Sequence, residues 1–382
     1  MTNRAHIPEL DGLRGLLAAW VFVFHALRFA GLQVPILCEG GLAVHVFIML
    51  SGFMISRLRM QSHERYPIYL LRRLARLYPV YLMALSFGLA VSGLASSTFS
   101  HLPWEIVNRG ELVRMHAKEQ ANLAPLLLAH LTMLHGMFPE EILPASLTAF
   151  IGPAWSLSLE WQFYLAAPMI VAVIASPRVG MFSIVVLLAV TVGATHFISG
   201  RFTYEVYALL PLMLPYFVVG IVSGLVFDHL REANPVLLGQ VAGAIISIVI
   251  VIAPWWHSAI PFGMWIIAIL AAAQVNLPSI RIISQMLSSP LFVSFGRVSY
   301  GFYLLHQPLM ICVGAALLAL GISARSPMLF GVLLIAFPLT WGVSALSFGL
   351  IEQPIMRLTS KFVRKGPHLS GDENSAVVVS TP

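Results

Sequence analysis

Charge is what this sequence has least of. Only 10% of its 382 residues are Asp, Glu, Lys or Arg, against 58% hydrophobic. Soluble domains carry about 25% charged residues, so a water-soluble globule of this length is excluded. Cysteine is almost missing as well. Cys38 and Cys312 form no metal or redox motif, and nothing in the sequence recommends a disulfide between them. None of the thirteen histidines has zincin spacing, and no glycine-rich loop is built to cradle phosphates. No metal is therefore expected. An internal repeat is lacking too, which argues against a transporter made of inverted halves. The first apolar run carries Arg14 near its start and Arg28 at its end, unlike a cleaved signal peptide. A net charge of +6 comes with no nucleic-acid-binding motif. Nucleic acid is not an expected partner, and the basic residues read as markers of cytoplasmic loops.

What is there in abundance is long apolar runs. They last about 18 residues or more, enough to cross a hydrocarbon core of about 30 Å. Backbone groups in lipid must be satisfied within the segment, and the runs lack the alternation of barrel strands, so the spans are helices. The expected fold class is all-α, a polytopic membrane bundle of about ten transmembrane helices. The runs lie at 13–31, 40–57, 79–98, 154–175, 180–198, 207–227, 236–254, 258–275, 298–320 and 328–351. An eleventh stretch, 122–138, is short and holds His130 and His135.

Positive charge arbitrates. If 122–138 does not cross, both termini share a side with fifteen basic residues: Arg4, Arg57, Arg59, Arg65, Arg72, Arg73, Arg76, Arg178, Arg231, Arg281, Arg297, Arg357, Lys361, Arg364 and Lys365. The other side keeps six: Arg28, Arg109, Arg114, Lys118, Arg201 and Arg325. By the positive-inside rule both termini are then cytoplasmic. The longest external segment is 99–153, with 122–138 as a re-entrant or surface-lying piece. Residues 1–356 read as one membrane domain, and 357–382 as a basic and then disordered cytoplasmic tail.

Three patterns carry chemistry. Arg14 and His25 in the first span are eleven residues apart, so they lie about 20° apart around the helix and about 16.5 Å along it. Asp11, one turn before Arg14, supports it. Ionisable groups at a span centre cost about 2.5–3.5 kcal/mol, so they seldom persist without a task. The competing structural reading is a polar stitch between helices. Ser156, Glu160 and Tyr164 form one stripe of the fourth span. Glu160 there needs a cationic or hydrogen-bonding partner, and Arg14 and His25 are the candidates. The competing reading is a structural ion pair. Arg72, Arg73 and Arg76 stand within little more than one turn before a span, a density that suits a pyrophosphate or phosphate ester. Plain anchoring to anionic membrane lipids is the alternative. Ser51-Gly52 is a small pair that permits close helix approach. His45, Tyr300, Tyr303, His306 and Glu352 read as packing or interhelical hydrogen-bonding residues.

PELDGLRGLLAAWVFVFHA, VFIMLSGFMIS, RRLARLYPVY, PAWSLSLEWQFYL, SYGFYLLHQPL and the closing IEQP together resemble the bacterial membrane acyltransferase family 3, in order from residue 8 to about 354. The resemblance implies a ten-helix bundle of the bacterial inner membrane that O-acylates cell-surface or exported glycans, such as exopolysaccharide or lipopolysaccharide O-antigen. In some members the acceptor is a secondary metabolite such as a macrolide. The implied donor is acyl-CoA, usually acetyl-CoA, and the implied acceptor a glycan or lipid-linked glycan. The family's essential pair falls on Arg14 and His25, its basic motif on Arg72, Arg73 and Arg76, and its carboxylate on Glu160. Some relatives carry an additional esterase-like domain, and this sequence ends instead in a short tail.

Acyl transfer to a sugar hydroxyl needs a base near neutral pH, and histidine fits best. His25 is the expected general base, with Glu160 as the residue that orients or polarises it. Arg14 is expected to position the pantetheine arm, with oxyanion stabilisation as its other option. A covalent acyl-histidine remains open. A transporter or flippase for a lipid-linked glycan is the rival from another class.

Overall fold

The computed structural model describes residues 6–62, 64–204, 208–232 and 259–365. Regular structure among these residues is entirely helical. The helices are α1 (Pro8–Phe29), α2 (Gly40–Gln61), α3 (Tyr66–His101), α4 (Arg109–Ala121), α5 (Leu123–Leu131), α6 (Trp155–Ile174), α7 (Gly180–Ile198), α8 (Leu210–Glu232), α9 (Ala259–Ala272), α10 (Pro278–Leu287) and α11 (Pro290–Ala319). The chain then continues through α12 (Arg325–Gly331), α13 (Phe337–Ser347) and α14 (Gln353–Lys365), joined by π-helical turns Val332–Ala336 and Phe348–Glu352.

Among the described residues eight helical stretches are long and apolar enough to cross a membrane, and α9 is a shorter apolar helix of 14 residues. Each expected span other than 236–254 coincides with one of these nine. Residues 236–254 and the tail from 366 lie outside the described residues. Boundaries differ where charge interrupts the apolar run but not the helix. The third span was expected from residue 79, yet α3 starts at Tyr66, with Pro67 in its first turn and the three arginines on helical backbone. On the outside of the bundle, Met181 and Phe182 of α7 are 76% and 70% exposed. With Val185, Val192 and Phe197 of the same helix also exposed, they make a contiguous apolar face that suits contact with lipid.

Two parallel helix pairs frame the interior. His45 stacks on Tyr216, Gly220 meets the Met49 carbonyl, Gly224 approaches the Phe53 carbonyl, and Arg57 pairs with Asp228 at 2.6 Å. Each of these contacts is one turn on from the last, so α2 and α8 run in the same direction. At Gly52 and Gly220 the facing backbone is so close that a Cβ would collide with a carbonyl oxygen. The Ser51-Gly52 signal in the sequence is explained by this approach. In the same way α1 and α11 run parallel: Gly296 meets the Asp11 carbonyl, Phe22 meets Phe302, His25 meets His306, and the Phe29 ring covers Gly314.

The parallel α2–α8 pair decides the status of 122–138. Three spans, α3, α6 and α7, separate α2 from α8 in sequence; a fourth crossing between them would make the pair antiparallel. At nine residues, α5 is also only about 13.5 Å long. Segment 122–138 therefore does not cross. It folds back into the bundle instead: Tyr78 and Tyr81 of α3 donate hydrogen bonds to the carbonyls of Leu131 and His130. His135 stacks on His130 at 4.1 Å and bonds the Ala154 carbonyl at the start of α6.

Candidate active site

α1 lies between α2 and α11, and two cavities open along it. The first, about 460 Å³, lies at the end of the bundle where α1 begins. Its polar lining is His6 just before α1, Asp11 and Arg14 from α1, Ser51, Arg57 and Gln61 from α2, Arg73 and Arg76 from α3, Ser156, Glu160 and Tyr164 from α6, and Ser299, Tyr300 and Tyr303 from α11. The second, about 670 Å³, lies towards the end of α1 and includes His25, Arg28, His45, Glu119, Trp155, Tyr303 and Gln307. Val44 and Tyr303 line both, so they form a wall that the two cavities share.

In the first cavity the helical stripe read from the sequence is in place. Ser156 Oγ and Tyr303 Oη share a hydrogen bond at 2.9 Å. Tyr164 donates to Glu160 Oε1 at 2.5 Å, and Ser51 donates to the same oxygen at 3.2 Å. Arg14 Nη1 donates to Asp11 Oδ1 at 2.8 Å, the support expected one turn away, and Asp11 Oδ2 also meets His6 at 2.6 Å. Arg73 lies over the rings of Tyr69 and Tyr164. Neither Arg73 nor Arg76 makes an ion pair among the described residues, and both residues line the cavity. A pocket with unpaired arginines and an aromatic wall suits a phosphorylated ligand with an apolar arm.

Arg72 does not join them. It is held by Glu64 in an ion pair and is not part of the lining. Residue 72 is one turn before 76, so helical period alone does not separate it from the other two. What removes it from the cavity is its pairing with Glu64, which spacing along α3 does not reveal.

The second cavity holds the histidines. The His25 ring lies 5.1 Å from that of His306, centroid to centroid, and 4.7 Å from Phe24. His45 stacks on Tyr216 at 4.3 Å, and Tyr216 on Phe262 at 5.1 Å. Arg14 and His25 are thus on one helix, as expected, but in different cavities. The expected orientation of His25 by Glu160 is not what the structure has. Glu160 is engaged by Ser51 and Tyr164 in the first cavity, and the group beside His25 is His306. Read from the sequence as a packing residue, His306 is the ionisable neighbour of His25 that the sequence reading did not bring to it. Its signal was an ionisable residue inside a span.

With this geometry in view, comparison with known proteins is informative. The profile of the family described as an acyltransferase domain, family 3, matches residues 7–347. The chain belongs to that family. It is 26% identical over 330 residues to acyltransferase MdmB of Streptomyces mycarofaciens, covering 78% of each chain. It is 22% identical over 408 residues to O-acetyltransferase OatA of Staphylococcus aureus, covering 99% of this chain and 62% of OatA. No solved structure matches it significantly. The protein is a multi-pass membrane acyltransferase, and its two cavities are the places to look for donor and acceptor.

Proposed function

We propose that this acyltransferase moves an acyl group, most simply acetyl, from cytosolic acyl-CoA to a hydroxyl of a cell-surface or exported glycan. The observation that carries the reading is the pair of adjacent cavities that share a wall at Val44 and Tyr303, with one helix placing Arg14 in the first and His25 in the second. The similarity to an O-acetyltransferase over nearly the whole chain supports the acetyl group and the oxygen acceptor.

In this reading the first cavity opens to the cytoplasm. Arg73 and Arg76 hold the phosphates of coenzyme A, and the pantetheine arm passes Arg14 towards Tyr303. The thioester then reaches His25, about 16.5 Å further along α1. The acceptor hydroxyl enters from the second cavity. His25 takes its proton as the oxygen bonds to the thioester carbonyl carbon. The carbon–sulfur bond breaks, and the coenzyme A sulfur leaves with the proton from His25. An ester and free coenzyme A are the products. Glu160, held by Ser51 and Tyr164, shapes the donor cavity rather than the base.

The test is coenzyme A release from acetyl-CoA by membranes containing the protein, followed by a search for acetyl ester on their glycans. His25→Ala should abolish release while the protein stays folded and inserted. A variant that keeps more than about a tenth of turnover would refute the base assignment, because general-base catalysis contributes about 10²–10⁴-fold.

A further inference from the structure

His306 is fully buried on α11, and its surroundings define its chemistry. Nδ1 lies 2.7 Å from the Tyr303 carbonyl oxygen. A carbonyl only accepts, so Nδ1 carries the ring proton and Nε2 is a bare acceptor. That Nε2 is buried with no hydrogen-bonding partner. Phe22, Phe302 and Tyr303 stand around the ring at 6.1–6.5 Å. The two phenylalanines offer no donor, and the Tyr303 hydroxyl is taken up by Pro153 and Ser156. The nearest ring with an N–H to give is His25, at 5.1 Å. Spacing of this order puts a nitrogen of each imidazole within reach of the other once the rings point at each other. The broad torsion about the His25 Cβ–Cγ bond allows that turn.

The pair is held by close helix contacts on both sides. Towards the start of α1, Gly15 and Gly296 bring the two helices together, and towards its end the Phe29 ring lies against Gly314. His25 has no hydrogen-bonding partner among the described residues. The charged or titratable side chains that share its cavity nearby are Arg28 on its own helix and His45 from α2, with His306 packed against it from α11. The cavity's carboxylates are engaged elsewhere: Glu111 by Lys118, and Glu119 by the Phe150 amide. A base in this setting, with nothing to fix its tautomer, would be divided between two protonation patterns.

We propose that His306 is the positioning residue for His25, its bare Nε2 accepting the His25 N–H so that the second His25 nitrogen faces the acceptor cavity with its lone pair free. The inference rests on the reading of His25 as general base. A neutral imidazole then does the orienting that a carboxylate does in many catalytic triads. When His25 takes the hydroxyl proton it becomes an imidazolium, and its bond to His306 strengthens because the donor is now charged. The proton passes on to the coenzyme A sulfur. His306 gains and loses nothing.

The full chain in its membranes, supplied with acetyl-CoA, provides the test. Coenzyme A release and the KM for acetyl-CoA are compared in His306→Leu, His306→Gln and His25→Ala. Leucine removes the acceptor, whereas the glutamine side chain keeps an oxygen that can take the His25 N–H. Turnover should fall about 10–100-fold in His306→Leu, the usual loss when a supporting partner of a site residue is removed. It should recover most of the way in His306→Gln, with KM unchanged in both. A role in packing alone predicts the reverse order, since the apolar residue suits the buried site better. Wild-type turnover in His306→Leu, or an equal loss in the glutamine variant, overturns the proposal. If leucine prevents insertion, His306→Phe keeps an aromatic ring without an acceptor and takes its place. His25→Ala separates the two ideas: an active His25→Ala removes the base itself, while an inactive one beside a fully active His306→Leu removes only the pair.

Discussion

Tyr303 Oη shares a hydrogen bond with Ser156 Oγ at 2.9 Å and lies 3.0 Å from the Pro153 carbonyl oxygen, and it does so in the wall that both cavities share. One hydroxyl thereby ties α11 to the start of α6 at the point where the proposed mechanism takes the thioester past. In Tyr303→Phe, Ser156 can turn to the Pro153 carbonyl, 3.2 Å away. The net loss of stability should then be about 1 kcal/mol, the worth of one such bond. If that ordering is felt in the transition state, turnover falls about fivefold. Thermal unfolding in detergent and coenzyme A release measure the two quantities. Unchanged turnover in a destabilised variant would show that this wall has no part in donor passage.

The glycines between α2 and α8 are expected to be intolerant. A Cβ on Gly220 would meet the Met49 carbonyl oxygen, part of a backbone that cannot swing aside as a side chain does. Gly220→Ala should cost about 1–3 kcal/mol, as overpacking usually does. Gly342 on α13 is the control, because a Cβ there meets nothing within 4 Å. Gly342→Ala should be neutral or slightly stabilising. Equal thermal midpoints for the two variants would contradict the close α2–α8 approach.

Helical period made some of the site legible in advance. Arg14 with Asp11, and the Ser156–Glu160–Tyr164 stripe, follow from spacing along a single helix, and the structure has both as read. Pairings across the bundle did not follow. His25 and His306 are 281 positions apart and meet only because α1 and α11 pack in parallel, which no periodicity encodes. Glu160 could not be assigned a partner for the same reason: Ser51 reaches it from another helix. The helix around the third span is longer than the span read from the sequence, because hydropathy follows the apolar part of a helix and stops at its arginines. Segment 122–138 was apolar enough to be ambiguous by composition, and what resolves it is the direction of two helices on either side in sequence.

Sidedness can be checked directly. The charge split places Arg65 in the cytoplasm and Gly110 outside, and both residues are exposed. With Cys38 and Cys312 replaced by serine, Gly110→Cys should react with a membrane-impermeant maleimide added to intact cells. Arg65→Cys should react only after the membrane is opened. Labelling of Arg65→Cys in intact cells would invert the bundle and put the arginine-lined cavity on the wrong side for cytosolic acyl-CoA.

The arginines of α3 should separate in their effect on the donor. Arg73 and Arg76 line the first cavity without ion-pair partners among the described residues, whereas Arg72 is neutralised by Glu64 outside it. Coenzyme A brings a pyrophosphate and a further phosphate, and a bidentate guanidinium contact to such a group is lost entirely on truncation to alanine. Hydrogen bonds to charged groups are worth about 1.5–3 kcal/mol, so Arg73→Ala or Arg76→Ala should weaken acyl-CoA binding about 10–100-fold. The remaining affinity should also depend less on salt, because fewer charges are left to screen. Arg72→Ala removes a charge already paired, so it should leave donor affinity within about threefold. Its effect should be on the order of the connection between α2 and α3, where Glu64 sits. Isothermal titration with a non-hydrolysable acyl-CoA analogue reads all three. An Arg72→Ala defect as large as the other two would mean that the cluster acts as one general positive patch, and affinity unchanged in the Arg73→Ala/Arg76→Ala double variant would return these residues to membrane anchoring.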